Sequence, residues 1–170
     1  KELGATHLDY AYQEKPDGGI SDALSLAEDF ADNGPICVIL GDNTTDADLS
    51  ESVKNFTEGA LVFLKKVTDP KRFGIPTFDE NKKITEIEEK PVDPKSDMAV
   101  TGLYIYDNKV FEYIKKTKPS ERGQLEVSDL NNVYIKNGSL NWIELEGFWS
   151  DAGTFDSLFS ASQYWAKKNK

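Results

Sequence analysis

The amino-acid sequence predicts a three-layer α/β domain, and three observations carry that prediction. A near-continuous apolar run, Pro35-Ile36-Cys37-Val38-Ile39-Leu40-Gly41, ends at Asp42 and a polar loop, Asn43-Thr44-Thr45, as a strand buried on both faces would. Before it, Ile20, Ala23, Leu24, Ala27, Phe30 and Ala31 recur at helical spacing. Strand-like and helix-like segments then interleave to the end of the chain, the pattern of helices packed on the faces of a sheet.

Taken in order, Lys1-Glu2-Leu3-Gly4 reads as the last turn of a helix with its terminating glycine, so the chain is expected to be a piece of a longer protein. Residues 7–13 alternate and turn at Pro16-Asp17-Gly18-Gly19, which predicts a strand entering a loop. The helix from Ile20 stops at Asn33-Gly34-Pro35, and with the strand ending at Leu40 it completes an expected βαβ unit with a right-handed crossover. Residues 59–67 form a further predicted strand. Residues 73–78 and 83–88 read as a hairpin joined at Asp79-Glu80-Asn81, and 99–106 as another strand. Val110, Phe111 and Ile114 mark a short helix after Asp107-Asn108. Residues 127–136 are predicted helical up to Asn137-Gly138, 140–145 extended, and 154–167 a closing helix.

With 170 residues the chain is long enough for one ordinary core. Thirty acidic residues against twenty basic ones leave a formal charge of −10, which argues against a nucleic-acid polymer as partner, since phosphate backbones select basic surfaces. No apolar run approaches the roughly 18 residues of a membrane span. The lone cysteine, Cys37, cannot form an internal disulfide; inside its apolar strand it is expected to act as a small core residue, in keeping with a cytoplasmic setting. The sole histidine, His7, lies at the chain start, so no histidine general base is expected.

Individually, the polar segments have two readings. Asp42 at a strand end is a turn former or a ligand carboxylate. Asp151, in Phe148-Trp149-Ser150-Asp151-Ala152-Gly153-Thr154, serves either the turn into the last helix, with Thr154 as N-cap, or a shared cation with Asp42. Glu88-Glu89-Lys90-Pro91 is a solvated hairpin end or a pair that meets sugar hydroxyls and a phosphate. Gln13, with Gly18 nearby, is an ordinary loop residue or an amide that reads a base edge. In Val100-Thr101-Gly102-Leu103-Tyr104, the glycine marks a bulge or a close ligand approach.

The order of these segments, from Gln13 through Leu40-Gly41-Asp42-Asn43, Phe73-Gly74-Ile75, Glu88-Glu89-Lys90-Pro91, Val100 to Tyr104, Arg122-Gly123-Gln124-Leu125-Glu126-Val127-Ser128-Asp129, and Trp149 to Thr154, resembles the sugar-1-phosphate nucleotidyltransferases. The thymidylyl-transferring members are nearest and the uridylyl-transferring ones next. The resemblance implies a Rossmann-like fold with a mixed, mostly parallel sheet, and transfer of a nucleotidyl group from dTTP or UTP to a sugar 1-phosphate, with glucose 1-phosphate expected and pyrophosphate released. It implies Mg²⁺ held by Asp42 and Asp151, with Lys90 as the third catalytic residue. Gln13 and Gly18 would meet the base; Gly74, Glu89, Lys90, Thr101 and Gly102 would line the sugar-phosphate pocket, with Trp149 beside it. A homo-oligomer is implied as well.

The family's Gly-rich, Arg-containing phosphate loop has no counterpart in this sequence. The chain is therefore expected to be the central and C-terminal part of one catalytic domain, spanning residues 1–170, and inactive alone. Ile20-Ser21, Gln124, Ser150 and Ala152 depart from the family's commoner residues. Two alternatives stand beside this reading. Asp46-Ala47-Asp48 matches the Asp-x-Asp string of metal-dependent glycosyltransferases, although it precedes Leu49-Ser50, where a solvated helix start is expected. A sugar- or nucleotide-binding regulatory domain without catalysis would share the fold.

Overall fold

The computed structural model of the protein describes residues 7–120 and 122–168. In chain order its elements are α1 (Ile20–Ser25), α2 (Glu28–Ala31), β1 (Ile36–Ile39), β2 (Asn43–Thr45), α3 (Ser50–Asn55), β3 (Ala60–Lys66), a 3-10 turn (Pro70–Arg72), β4 (Gly74–Phe78), β5 (Ile84–Glu89), β6 (Met98–Tyr106), α4 (Lys109–Lys116), α5 (Val127–Lys136), β7 (Leu140–Glu144), β8 (Trp149–Asp151) and α6 (Phe155–Lys168). The expected strand and helix segments from residue 59 onward reappear within a residue or two of their expected bounds. The reading of residues 1–4 lies outside the described residues.

The central sheet has the order β1-β6-β3-β7. It is mixed, as expected: β1, β3 and β7 run in one direction and β6 runs against them, so the β1–β6 and β6–β3 ladders are antiparallel and β3–β7 is parallel. Alternation along β3 divides the core. Val62 and Leu64 face a large cluster with Tyr104, Tyr106, Val110, Phe111, Leu130 and Tyr134, beneath α1, α4 and α5. Leu61 and Phe63 face a smaller one with Leu103, Ile105, Leu145 and Trp149, covered by Ala47, Leu49, Phe56 and Phe73. Two such clusters on opposite faces are the physical content of a three-layer arrangement.

Three expectations near the start of the chain need correction. Residues 7–13 form no strand: no described strand pairs with them, and Leu8, Tyr10 and Tyr12 stand 66%, 89% and 83% exposed. Alternation alone does not hold an extended segment without a ladder partner, so the βαβ unit is absent among the described residues. The helix from Ile20 is broken at Leu26 and Ala27, whose N–H groups bond back to Ala23 and Leu24 in tighter i→i+3 turns. Its end is where the sequence put it, because Asp32 and Asn33 both take left-handed backbone angles (φ 44° and 63°), and these two residue types tolerate that region best after glycine. Finally, Cys37 is exposed. On edge strand β1 the inward positions are Ile36 and Val38, whereas Cys37 and Ile39 point away from the cluster.

The β4–β5 hairpin pairs Gly74 with Glu89 and Phe78 with Ile84. Its turn is closed by Asp79, whose Oδ1 accepts from the N–H groups of Asn81 (2.9 Å) and Lys83 (2.8 Å). The hairpin is seated by α5. Asn132 pairs with β5 like a strand residue, accepting from Ile87 N (2.9 Å) and donating to Ile87 O (2.8 Å). One helical turn earlier, Ser128 Oγ donates to Glu89 Oε2 at 2.6 Å. Four helical residues advance about 6 Å and two strand residues about 6.8 Å, so these two contacts match in spacing.

Candidate functional site

The three strands that share a direction, β1, β3 and β7, send their carboxyl-end loops to the same side of the sheet. Ligands of open α/β sheets bind there. Asp42 follows β1, Arg72 follows β3, and Trp149 and Asp151 follow β7. Because β6 runs the other way, its early residues Val100, Thr101 and Gly102 arrive at the same end. The hairpin end supplies Gly74, Glu89 and Lys90. Together these residues line a cleft of about 330 Å³, with Ile20, Tyr104 and Val127 among its apolar walls.

Asp42 lies in the tight turn closed by Asn43 N donating to Leu40 O (2.9 Å), so the turn-former reading holds and leaves the carboxylate in the cleft. The two-stranded ribbon of β2 and β8 pairs Asn43 with Asp151, and Ala152 N donates to Asp42 O at 2.6 Å. These bonds bring the two aspartates together. A methyl group added at Gly153 would lie 3.2 Å from Asp151 Oδ2 and 3.3 Å from Asp42 Oδ2, so both carboxylates reach one point above a residue without a side chain. Thr154 caps α6, as expected: its Oγ1 accepts from Ser157 N at 3.2 Å.

Two carboxylates meeting at one point suit a hard cation of the Mg²⁺ type, which takes oxygen ligands and usually retains several waters. Among the described residues no group of three or more His, Cys, Asp or Glu side chains is placed to hold a metal. In the structure Arg72 Nη2 donates to Asp151 Oδ2, with the two side chains 35% and 15% exposed.

Asn43 is the hub that sequence reasoning missed. Its Nδ2 donates to Asp42 Oδ1 (2.8 Å), while its Oδ1 accepts from Gly102 N (2.9 Å) and from Trp149 Nε1 (2.7 Å). A Cβ on Gly102 would come within 2.4 Å of Asn43 Nδ2. The glycine therefore makes room for a side chain of the protein. It lies where the β3–β6 register shifts, between Val62 opposite Tyr104 and Leu64 opposite Val100, so the bulge reading holds too. Thr101 lines the cleft, yet its buried hydroxyl donates to Phe63 O at 2.9 Å.

At the hairpin end of the cleft, Gly74 leaves space for Ser128 Oγ and Glu89 Oε2, which its Cβ would approach to 2.8 and 3.4 Å. With Oε2 bonded to Ser128, Glu89 Oε1 stands 3.8 Å from both Lys90 Nζ and Arg122 Nη2. Lys90 adopts a left-handed backbone (φ 49°), which is rare outside glycine and more so before a proline; its N–H is held by Phe73 O at 3.0 Å. Burial, then the charges of Glu89 and Asp42, raise the pKa of Tyr104 well above its ordinary value, so this wall residue is a neutral phenol. Trp149 meets Phe73 edge-on with ring centroids 5.7 Å apart.

Gln13 and Gly18 are not among the residues lining the cleft. Gln13 Nε2 donates to Asp22 Oδ2 (2.8 Å) and Gly19 O (3.2 Å), and Gly18 O accepts from Leu125 N at 2.9 Å. Asp46 and Asp48 are consumed elsewhere. Asp46 Oδ1 accepts from Phe148 N (2.6 Å), and its Oδ2 accepts from Tyr164 and from Lys168 Nζ (2.5 Å); Asp48 accepts from Ser50 N at the start of α3 (2.9 Å). Hydrogen bonds from Lys168, Tyr164 and the Phe148 amide hold the Asp46 carboxyl well below the usual range. These contacts fasten α6 and leave no open Asp-x-Asp ligand pair. Arg72, Asn43, Tyr104, Arg122 and Ser128 are the residues to which the sequence had assigned no role. Arg72 in particular sits in Asp69-Pro70-Lys71-Arg72, which reads as ordinary charged surface.

A family model described as nucleotidyl transferase matches residues 1–168. A glucose-1-phosphate thymidylyltransferase of Neisseria gonorrhoeae is 48% identical over 163 residues, covering 92% of this chain and 56% of the relative. One from Xanthomonas campestris is 40% identical over 164 residues, covering 93% and 55%. The chain thus spans about half the length of the curated relatives it matches. A solved structure from Bacillus anthracis, assigned as a glucose-1-phosphate thymidylyltransferase and holding sucrose, superposes with a TM-score of 0.81 at 51% identity, over 89% of this chain and 62% of that one. A UDP-glucose pyrophosphorylase bound to UDP-glucose shares the fold at TM-score 0.81 with 23% identity, over 94% and 66%. The chain belongs to the nucleotidyl transferase family.

Proposed function

We propose that the complete gene product carrying this chain transfers a nucleotidyl group from dTTP or UTP to a sugar 1-phosphate, with glucose 1-phosphate as acceptor, and that Mg²⁺ is its cofactor. The observation that carries the reading is that Asp42 and Asp151, converging at Gly153, line the same cleft as Glu89, Lys90, Gly74 and Gly102. The names of the relatives supply the substrate class.

In this reading the acceptor phosphate lies near Lys90, whose ammonium acts as a point charge. Glu89 accepts hydrogen bonds from sugar hydroxyls through the oxygen that Ser128 leaves open. Phosphoryl and nucleotidyl transfers need positioning and charge neutralisation more than covalent chemistry from the protein. Mg²⁺ bound by Asp42 and Asp151 would supply charge neutralisation at phosphate oxygens. Trp149 and Phe73 give the sugar an apolar wall. The base is assigned to Gln13 and Gly18, which requires the Gln13 amide to exchange Asp22 for the base edge. Residues 1–170 are read as one part of a single catalytic domain in a homo-oligomeric cytoplasmic enzyme.

The test is pyrophosphate release by the complete gene product, with Mg²⁺, across dTTP, UTP and several sugar 1-phosphates. Release that depends on both substrates is expected, and the isolated 170-residue chain is expected to be inactive. Its absence with every pair, alongside intact binding of sugar phosphate or nucleotide, would favour a regulatory binding domain instead.

A further inference from the structure

Arg72 sits where the proposed metal reading puts a cation. Its guanidinium donates to Asp151 Oδ2, the oxygen that converges with Asp42 Oδ2 above Gly153. The contact has support on both sides. Arg72 ends the 3-10 turn, whose closing bond runs from Phe73 N to Pro70 O (3.1 Å), and its guanidinium carbon lies 5.2 Å from the centre of the Phe73 ring. Asp151 is fixed by its pairing with Asn43.

Arg72, Phe73, Trp149 and Asp151 also line a second groove of about 610 Å³, with Lys66, Thr154 and Ser157 on its far side. The ion pair therefore borders two open spaces, and the Arg72 side chain, 35% exposed, belongs to neither core cluster.

We propose that Arg72 is an exchangeable counter-cation for Asp151. Without metal it neutralises one of two facing like charges; when a divalent cation binds Asp42 and Asp151, Arg72 releases Asp151 Oδ2. Held over Phe73, it remains in the cleft as a planar donor for phosphate oxygens. Arginine and metal thus compete for one oxygen, and the inference rests on the metal reading of Asp42 and Asp151.

The test measures metal binding directly, by Mn²⁺ electron paramagnetic resonance titration of the complete gene product at fixed ionic strength. Arg72→Gln is expected to tighten Mn²⁺ binding about tenfold, the lower end of what a charge-assisted hydrogen bond is worth, because the Arg72 side chain is 35% exposed. Lys71→Gln removes the same charge from the same turn, and Lys71 is exposed. It should tighten binding less than about twofold, as an unpaired surface charge does. Equal effects of the two variants, or unchanged or weaker binding in Arg72→Gln, overturn the exchange while leaving the metal reading standing, provided Asp151→Asn abolishes binding. No Mn²⁺ binding by either the parent protein or Arg72→Gln, or binding that survives Asp151→Asn, overturns both.

Discussion

Asp42 and Asp151 each present one carboxylate oxygen to the same point above Gly153, at 3.3 and 3.2 Å. Neither the turn that holds Asp42 nor the short strand that holds Asp151 brings them together alone. The β2–β8 ribbon does, by pairing Asn43 with Asp151. Replacing either aspartate with Asn is expected to lower Mg²⁺-dependent pyrophosphate release by orders of magnitude with the fold intact by circular dichroism. Near-parental rates would remove the metal role.

Asn43 ties Asp42, Gly102 and Trp149 into one unit. Asn43→Ala leaves the Gly102 N–H and the Trp149 indole N–H without their partner, a loss of about 1–3 kcal/mol. Urea unfolding should show that loss, and tryptophan fluorescence should shift in the folded state. A variant as stable as the parent would mean that water replaces the amide.

Ser128 occupies one oxygen of Glu89 at 2.6 Å and so sets the direction of the other. Ser128→Ala is expected to raise KM for the sugar 1-phosphate about three- to tenfold, the worth of one hydrogen bond, with kcat less affected. Ser128→Thr, which keeps the hydroxyl, should recover most of the loss. Equal effects of the two substitutions would point to packing as the cause.

Lys90→Ala should weaken use of the sugar 1-phosphate while leaving the nucleoside triphosphate dependence close to parental, because Lys90 stands on the Glu89 wall of the cleft. Steady-state kinetics with each substrate varied in turn separates the two. An unchanged sugar-phosphate dependence would exclude the assignment.

Asp46 fastens α6 through Lys168, Tyr164 and the Phe148 amide, and these bonds depress its pKa. Its ionised form therefore favours the folded state: the contribution is complete above about pH 4, the ordinary carboxylate value, and fades as pH falls further toward the depressed folded value. The difference in Tm between the parent and Asp46→Asn should be constant from about pH 5 to 8 and close below about pH 4. A difference that persists unchanged into that acid range would assign the stabilisation to shape rather than charge.

Much of this was legible in the amino-acid order. Helix α5 and strands β3, β4, β5 and β6 follow from apolar periodicity and turn chemistry, since each buries a regular face or closes through a local Asx turn. The order of segments from Leu40-Gly41-Asp42-Asn43 to Trp149-Ser150-Asp151 was sufficient to point to the family. Two of the failures share a physical source. Residues 7–13 alternate like a strand and Cys37 lies in an apolar run, but strand formation and burial depend on partners across a ladder or a layer, which alternation does not report.

The sequence by itself determined the fold class, the family, and which carboxylates and cations are available for chemistry. Local periodicity and turn residues carry that information, because they act over a few neighbouring positions. Only the tertiary structure decided what each polar group touches. It gave the empty space of Gly102 to Asn43 and the Thr101 hydroxyl to Phe63; it left Asp46 to α6 and set Arg72 on Asp151. Those assignments rest on hydrogen bonds between residues far apart in the chain, formed only when β6 pairs with β3 and the loops after β1, β3 and β7 converge at the carboxyl end of the sheet.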